Sequence, residues 1–230
     1  MYSFPVTLEA VTVPLLLSLK VAGIATFIAS VVGISVAWLA AKRDFWGKEV
    51  LDALLTLPVV LPPTVLGYYL LVLLGRRGPI GSWLETYFGI NLIFTWQGAV
   101  IAASIVAFPL VYKSARSAFE GVSRRYEDAS RVLGKNEFQV FSLVTFPLAI
   151  RGILAGSMLA FARALGEFGA TLMVAGSLPG KTQTLSIAVY EAVQAGHDQV
   201  ANFLVVVTSI VCIVVLLASN YFLKPKYREA

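Results

Sequence analysis

The chain has 230 residues, of which 58% are hydrophobic and 13% charged, and its mean hydropathy is +0.80. These values exclude an ordinary soluble domain, and the absence of alternating segments of about ten residues argues against a membrane barrel, so we predict an all-α integral membrane protein. The formal charge of +5 does not indicate a nucleic-acid partner, because the basic residues cluster at the ends of apolar runs.

A helix needs about 20 apolar residues to cross a bilayer, and five runs reach that length. They cover residues 20–41, 50–74, 93–111, 150–170 and 200–222. Residues 8–19 are also apolar but contain Pro14, so they either lengthen the first span, lie at the membrane interface or add a sixth crossing. We expect a single transmembrane domain over residues 1–230.

The second run carries three prolines, Pro58, Pro62 and Pro63. Tandem prolines remove backbone donors and break a helix. Broken backbone at membrane depth is tolerated where it is buried in protein or lines an aqueous cavity, which predicts that this span faces the interior of the bundle. A kinked helix used only for packing is the alternative.

A polar segment, residues 119–148, separates the third and fourth runs, and we call it the knob. Its apolar residues Ala129, Val132 and Leu133 have i, i+3, i+4 spacing, which predicts a short amphipathic helix that ends at Gly134. A second helical pattern follows through Phe138, Phe141 and Val144. A short helix, a turn and a rising helix suit docking into a groove of a partner or lying on lipid head groups.

The fourth run contains Arg163 and Glu167, which are four residues apart and near enough to pair. An ion pair that fixes the span is the favoured interpretation, and a gate in a transport pathway is the alternative. Small and hydroxyl residues nearby suit either a weakly polar path or close helix packing. The pathway or gate candidates are Pro62, Pro63, Thr64, Gly67, Arg163, Glu167 and Thr171.

The loop over residues 177–199 has helical spacing, which predicts a short surface helix that meets a partner or the lipid boundary. The spaced residues are Leu185, Ala188, Val189 and Ala192. Residues 176–182 resemble a phosphate-binding loop, but they place three rather than four residues between the glycines and no strand precedes them. No nucleophile and base arrangement and no metal-ligand spacing indicates an enzyme, a metal site or a cofactor.

Most of the 18 Lys and Arg residues fall in alternate loops. These are the loop over residues 42–48, the segment over residues 113–151, and the C-terminal tail with Lys224, Lys226 and Arg228. Positive loops are retained on the cytoplasmic side, so the knob and the C-terminus are predicted to be cytoplasmic and the N-terminus outside.

The knob resembles the EAA motif of ABC importer permeases, in which Glu-Ala-Ala, three residues, Gly and nine residues precede Ile-x-Leu-Pro. Asp128, Ala129 and Ser130 take the first three places, Gly134 takes the glycine, and Val-Thr-Phe-Pro at residues 144–147 takes the last four. Residues 57–78 and 161–171 resemble the molybdate permeases of this family, and sulfate, thiosulfate and tungstate permeases share parts of these stretches.

The resemblance implies a type I ABC importer permease in the inner membrane, without an ATPase site of its own. It further implies a homodimer that binds two copies of a cytoplasmic ATPase and an extracytoplasmic oxyanion-binding protein, and imports molybdate or a similar oxyanion by alternating access. The knob would be the coupling helix, with ATPase-coupling residues Glu127, Asp128, Ala129, Ser130, Arg131, Leu133 and Gly134. An autonomous anion channel or a secondary carrier is the alternative.

Overall fold

The computed structural model describes residues 8–43 and 45–223, and all regular structure in these residues is helical. The predicted cytoplasmic tail with Lys224, Lys226 and Arg228 lies outside the described residues. The helices in chain order are α1 (Leu8–Lys42), α2 (Lys48–Val60), α3 (Pro63–Leu74), α4 (Pro79–Phe88), α5 (Trp96–Glu120), α6 (Arg124–Val132), α7 (Glu137–Val140), α8 (Phe146–Leu165), α9 (Gly169–Ala175), α10 (Leu185–Gln194) and α11 (Asp198–Leu223). A π-helical turn, Phe141–Thr145, joins α7 to α8 without a break.

Helix α5 lies at the centre of the bundle and packs against α1, α8 and α9. The contact surfaces are built mainly from alanine. Helices in lipid gain little by burying apolar side chains against one another, so small residues that let backbones approach closely stabilise their packing. The buried alanines are Ala22, Ala25 and Ala29 of α1, Ala99, Ala103 and Ala107 of α5, and Ala160 and Ala164 of α8.

Glycine makes the closest approach between α5 and α8. A Cβ atom added to Gly156 would lie 2.3 Å from the Cβ of Ser114, well inside van der Waals contact. A hydroxyl pair also links α8 to α1, since Ser30 Oγ donates to Ser157 Oγ at 3.1 Å. The sequence of α8 therefore places small residues at the positions where the neighbouring backbones come nearest.

Four helical segments of the described chain are long and apolar enough to cross a membrane, and the bent pair α2 and α3 would make a fifth. The first predicted span begins earlier than expected, because α1 runs unbroken from Leu8 to Lys42 through Pro14. Residues 8–19 therefore lengthen the first span, and the described residues contain no sixth crossing helix.

The second predicted span is broken at the tandem prolines. Helix α2 ends at Val60, α3 begins at Pro63, and the two axes differ by 109°. The missing amide donors and the fixed φ of proline explain why the helix cannot continue through this point. Neither helix continues the axis of the other, so the second span consists of two separate helices rather than one kinked helix.

The third span runs past the predicted boundary at residue 111, since α5 continues to Glu120. The fourth predicted span, residues 150–170, is wrong at both ends. The helical segment begins at Glu137 and ends at Leu165, and Gly169 starts a separate short helix. The fifth is close to the prediction, as α11 covers Asp198–Leu223.

The helix predicted from the pattern in residues 177–199 is present as α10. It packs on α1 and α11 and buries Leu185, Ala188 and Ala192. The backbone N–H of Leu185 also donates to Ser18 Oγ at 2.8 Å, which ties α10 to α1. The apolar face of α10 is therefore covered by the bundle rather than left for a partner or for lipid.

Two glycine substitutions test the close packing of the bundle. We expect Gly156→Ala to lower the unfolding free energy by about 1–3 kcal/mol, because the added methyl group overlaps Ser114. Gly23→Ala in α1 is the matched control, since a Cβ there meets nothing within 4 Å. Thermal unfolding of the detergent-purified protein measures both. Equal melting temperatures for the two variants would contradict this account of the α5–α8 contact.

Candidate functional site

The helix of the knob ends as the sequence predicts, at a glycine in the left-handed region. Gly134 has φ +78. Its N–H donates to the carbonyl of Arg131 at 2.9 Å, and the N–H of Lys135 donates to the carbonyl of Ser130 at 3.2 Å. This pair of bonds is the Schellman arrangement, in which the last carbonyls of a helix are satisfied by the turn that follows.

The next helix begins with a capping box. Asn136 Oδ1 accepts the N–H of Gln139 at 2.9 Å, and Gln139 Oε1 accepts the N–H of Asn136 at 3.2 Å. The reciprocal bonds satisfy backbone donors that would otherwise lack a partner. Hydrogen bonds therefore close the turn of the knob on both sides.

Helix α6 faces the bundle with polar residues and turns its apolar residues away. Glu127 and Ser130 are buried, whereas Val132 and Leu133 are 87% and 79% exposed. The predicted apolar face of α6 exists, but the chain itself does not cover it. Phe138, at the start of the following helix, adds a third apolar side chain with 77% exposure.

Glu127 is held in its buried position by two other elements. Lys42 Nζ at the end of α1 donates to Glu127 Oε1, and the hydroxyl of Thr145 donates to the same oxygen at 2.7 Å. The side chain of Glu127 is 2% exposed, and a buried carboxylate requires such partners to offset its lost hydration. We call Glu127, Lys42 and Thr145 the buried junction.

Arg131 fastens the exposed side of the knob. Its guanidinium donates to Asp128 at 2.6 Å and to the two carboxylate oxygens of Glu137 at 2.7 Å and 3.1 Å. Hydrogen bonding to Glu137 and then to Asp128 raises the pKa of Arg131 above its usual value. These groups are exposed to solvent, so they fix the angle between α6 and α7 more than they add stability.

A pocket of about 320 Å³ lies between the end of α1 and the knob. Its polar wall includes Arg43 together with Lys42 and Glu127 of the buried junction. Its aromatic wall is formed by Trp38 and Phe141, whose ring centroids are 4.9 Å apart. The pocket shows that the basic end of α1 and the knob share one end of the molecule.

The pathway candidates from the second span meet those from the fourth where α3 packs on α9. A Cβ atom on Gly169 would lie 2.8 Å from Pro63 Cβ, and one on Gly67 would lie 3.0 Å from the Cα of Ala170. Only glycine fits at these two positions without moving backbone. The broken second span therefore packs its second half directly on α9.

Arg163 and Glu167 form the predicted ion pair, although Glu167 lies beyond the end of α8. Arg163 Nη1 is 2.7 Å from Glu167 Oε2, and Glu167 Oε1 accepts the N–H of Ala170 at 2.9 Å. The side chain of Glu167 is 2% exposed and that of Arg163 is 38% exposed. The carboxylate thus occupies the positive N-terminal end of α9 as well as pairing with the arginine.

The seven pathway candidates gather around α9, with different exposure. Glu167, Thr171 and Gly67 are buried, while Pro62, Pro63 and Thr64 are exposed and Arg163 lies between these extremes. Their contacts bring the break after α2 next to the break after α8. That these residues line a transport path stays a prediction.

Two residues of the buried junction escaped the sequence analysis. Lys42 was used only as a sign of topology, and Thr145 was seen only as a position within the EAA-like pattern. The separation of Lys42 from Glu127 by 85 residues explains why no local spacing revealed the contact. In the structure the junction is recognised by the burial of Glu127 on a largely exposed helix, and burial is not visible in the sequence.

The loop that resembles a phosphate-binding loop is a closed turn. Thr182 Oγ1 accepts the N–H of Leu178 at 3.0 Å, and the residue is fully buried. Helix α10 begins only at Leu185, so the threonine does not open a helix. The hydroxyl that would face a phosphate is engaged inside the turn.

A family profile matches residues 12–229, and its description is binding-protein-dependent transport system inner membrane component. The chain belongs to this family. It is 45% identical over 207 residues to the molybdenum transport system permease protein ModB of Escherichia coli K12, covering 90% of each chain. It is 43% identical over 204 residues to the putative molybdenum transport system permease protein YvgM of Bacillus subtilis, covering 88% of this chain and 87% of the relative. The sulfate transport system permease protein CysW of Synechocystis is 36% identical over 187 residues, covering 81% of this chain and 67% of the relative.

Solved structures of this class of transporter share the fold. A chain of the inward-facing MetNI methionine ABC transporter superimposes with a TM-score of 0.72 at 16% identity, covering 95% of this chain and 96% of the other. A chain of a bacterial alginate ABC transporter gives 0.74 at 14% identity, covering 96% and 82%. The predicted type I ABC importer permease fold is therefore confirmed. As an inner membrane component, this family member is a multi-pass membrane protein.

A double-mutant cycle of Arg163→Met, Glu167→Met and the double variant tests whether Arg163 and Glu167 are a structural pair. We expect Arg163→Met to lower the unfolding free energy by roughly 1–3 kcal/mol, because it leaves the buried Glu167 carboxylate without its cation. Arg163→Met combined with Glu167→Met should lose less, since no buried charge is then unpaired. Thermal unfolding in detergent measures each variant. A wild-type melting temperature for Arg163→Met would favour the gate interpretation.

Proposed function

We propose that this chain is the membrane-spanning permease of an ABC importer that moves molybdate into the cytoplasm. Membership of the binding-protein-dependent family supports the transporter class. Relatives that carry the name of molybdenum permeases reach 45% identity over 90% of the chain, above the 36% of the sulfate permease, which favours molybdate over sulfate. Tungstate and thiosulfate are the remaining candidates among similar oxyanions.

The observation that carries the proposed mechanism is the uncovered apolar face of the knob. Val132, Leu133 and Phe138 project away from the bundle and are not covered by any other part of the described chain. Exposed apolar side chains grouped at the tip of a rigid element are typical of a docking surface. In a permease of this family the partner for such a surface is the cytoplasmic ATPase.

The proposed coupling set combines two kinds of residue. Asp128, Ala129, Arg131, Leu133 and Gly134 form the exposed tip and turn that would meet the ATPase. Glu127 and Ser130 face the permease, so they would act by holding the tip in place. ATP binding to a pair of ATPase subunits would draw two knobs together, and rigid-body motion of the helices above them would alternate access.

The proposed assembly is a homodimer of this chain with two ATPase copies and an extracytoplasmic binding protein. Helix α2 supports a second copy or lipid as a neighbour, because none of its side chains is buried by the chain itself. The proposed orientation puts the knob in the cytoplasm and the N-terminus outside. The pocket shared by Lys42, Arg43 and Arg131 supports it, since this basic group lies at one end.

The proposed route for the anion passes the two helix breaks at α3 and α9. Pro62, Pro63 and Thr64 offer an exposed surface without a strong charge, and the buried Gly67 and Thr171 lie in the helices α3 and α9 that meet there. The pairing of Arg163 with Glu167 largely cancels the field of both. Weak binding suits a conduit because tight binding would slow release. Selectivity would then reside largely in the binding protein.

Reconstitution with one anion at a time tests the proposed function. We expect ATP-dependent uptake of molybdate by liposomes that contain the permease, its ATPase and a loaded binding protein. Sulfate-loaded binding protein should stimulate little uptake. Uptake of anion without any ATPase would instead indicate a channel or secondary carrier. If only the sulfate-loaded binding protein stimulated uptake, the protein would be a sulfate permease.

A charge at the tip of the knob tests the docking surface. We expect Leu133→Asp to weaken association with the ATPase about 30-fold or more. The leucine side chain is 79% exposed in the free permease, and the substitution replaces this apolar contact with a hydrated carboxylate. Leu178→Asp, at a 40% exposed residue in the turn after α9, is the control and should bind as the wild type does. Co-purification from detergent measures both. Unchanged binding of Leu133→Asp would remove this surface from the interface.

The turn at Gly134 offers a graded test of knob geometry. Nothing lies within 4 Å of an added Cβ, so only the positive φ opposes substitution. We expect Gly134→Asn to keep most of the ATPase association and Gly134→Val to lose it, because asparagine tolerates the left-handed region and β-branched residues do not. The same co-purification assay applies. Equal loss in both variants would indicate that the glycine is needed for contact rather than for conformation.

A further inference from the structure

The buried junction joins three elements at one carboxylate oxygen. Glu127 belongs to α6, Lys42 ends α1, and Thr145 ends the π-helical turn that leads into α8. A single oxygen that accepts hydrogen bonds from two other elements fixes their relative positions more strictly than either contact would alone. The junction is therefore a mechanical connection between α6 and two membrane-spanning helical segments.

Burial makes the connection costly to break. The side chain of Glu127 is 2% exposed, and Thr145 is equally buried at 1%. Without Lys42 the only cation near this buried carboxylate would be Arg131, whose Nη2 is 3.9 Å from Glu127 Oε2, so the charge of Glu127 would be poorly compensated. The exposed pairs of Arg131 with Asp128 and Glu137 differ in this respect, because solvent replaces those partners at little cost.

Aromatic side chains pack against the π-helical turn that carries Thr145. Phe141, in the π-helical turn, lies 4.9 Å from Trp38 of α1 and 6.0 Å from Phe119 of α5 between ring centroids. A π-helical turn inserts an extra residue into a helix and often marks a functional site. Here the inserted turn is where Thr145 reaches Glu127.

We propose that Glu127 is a positioning residue that transmits displacement of α6 to α1 and α8 through Lys42 and Thr145. It does not contact the ATPase, since its carboxylate faces into the permease. Loss of its charge leaves the apolar tip at Val132 and Leu133 unchanged but lets α6 move without α1 and α8 following it. The inference rests on the proposed ATP-driven function and specifies which side chain carries the motion.

The test uses the complete transporter in liposomes and compares Glu127→Gln with the wild type. We expect ATPase association and ATP hydrolysis within twofold of wild type, while molybdate imported per ATP falls by about two- to thirtyfold. The charge swap Glu127→Lys with Lys42→Glu restores the attraction, and we expect it to recover imported anion per ATP. Glu85→Gln is the matched control, because its ion pair with Arg76 is exposed and its helix α4 packs on α3.

Three results would overturn the inference. An unchanged import per ATP in Glu127→Gln shows that the junction carries no coupling. Loss of ATPase association in parallel with uptake shows that Glu127 only shapes the docking surface. A charge-swap variant that assembles with the ATPase but imports no more anion per ATP than Glu127→Gln shows that the attraction between residues 127 and 42 does not carry the motion. If Glu127→Gln does not fold, the charge-swap variant alone decides between these outcomes. Failure of the wild-type complex to couple ATP to uptake would instead refute the proposed function.

Discussion

Close packing of small side chains around α5 is the constraint on which the rest of the structure depends. Lipid offers no hydrophobic gain for burying one apolar side chain against another, so the bundle is held where alanine and glycine allow backbones to touch. Gly156 on α8 and the alanines of α1 and α5 provide this contact. Both candidate sites lie on elements that this packing positions, and neither would keep its geometry without it.

The segment Glu137–Leu165 connects the two candidate sites. With 29 residues it is about 44 Å long, more than the thickness of the hydrocarbon core of about 30 Å. Residues 137–148 of this segment belong to the knob, and its last turn carries Arg163, which pairs with Glu167 beside α9. One continuous helical segment that packs against α5 therefore links the region around Thr145 to the helix breaks at α3 and α9.

Sequence patterns predicted where the helices lie better than they predicted which side chains the fold buries. Apolar runs of sufficient length located the spans, and the tandem prolines located the break after α2, because both are local properties of the chain. The end of the fourth span was missed, since Gly166 to Phe168 interrupt the helix in a stretch that is apolar enough to continue. The pattern at Ala129, Val132 and Leu133 predicted a helix but not that its polar side faces inward. That outcome depends on Lys42, whose contact with Glu127 arises only in the folded chain.

The turn between α6 and α7 also affects how tightly a partner would bind the knob. A loop that must become ordered on association loses conformational entropy, which weakens the complex. Here the Schellman bonds at Gly134 and the capping box at Asn136 hold the turn before any partner arrives. In the proposed docking the knob would therefore bind as a preformed shape, and little of the free energy of its apolar contacts would be spent on ordering the turn.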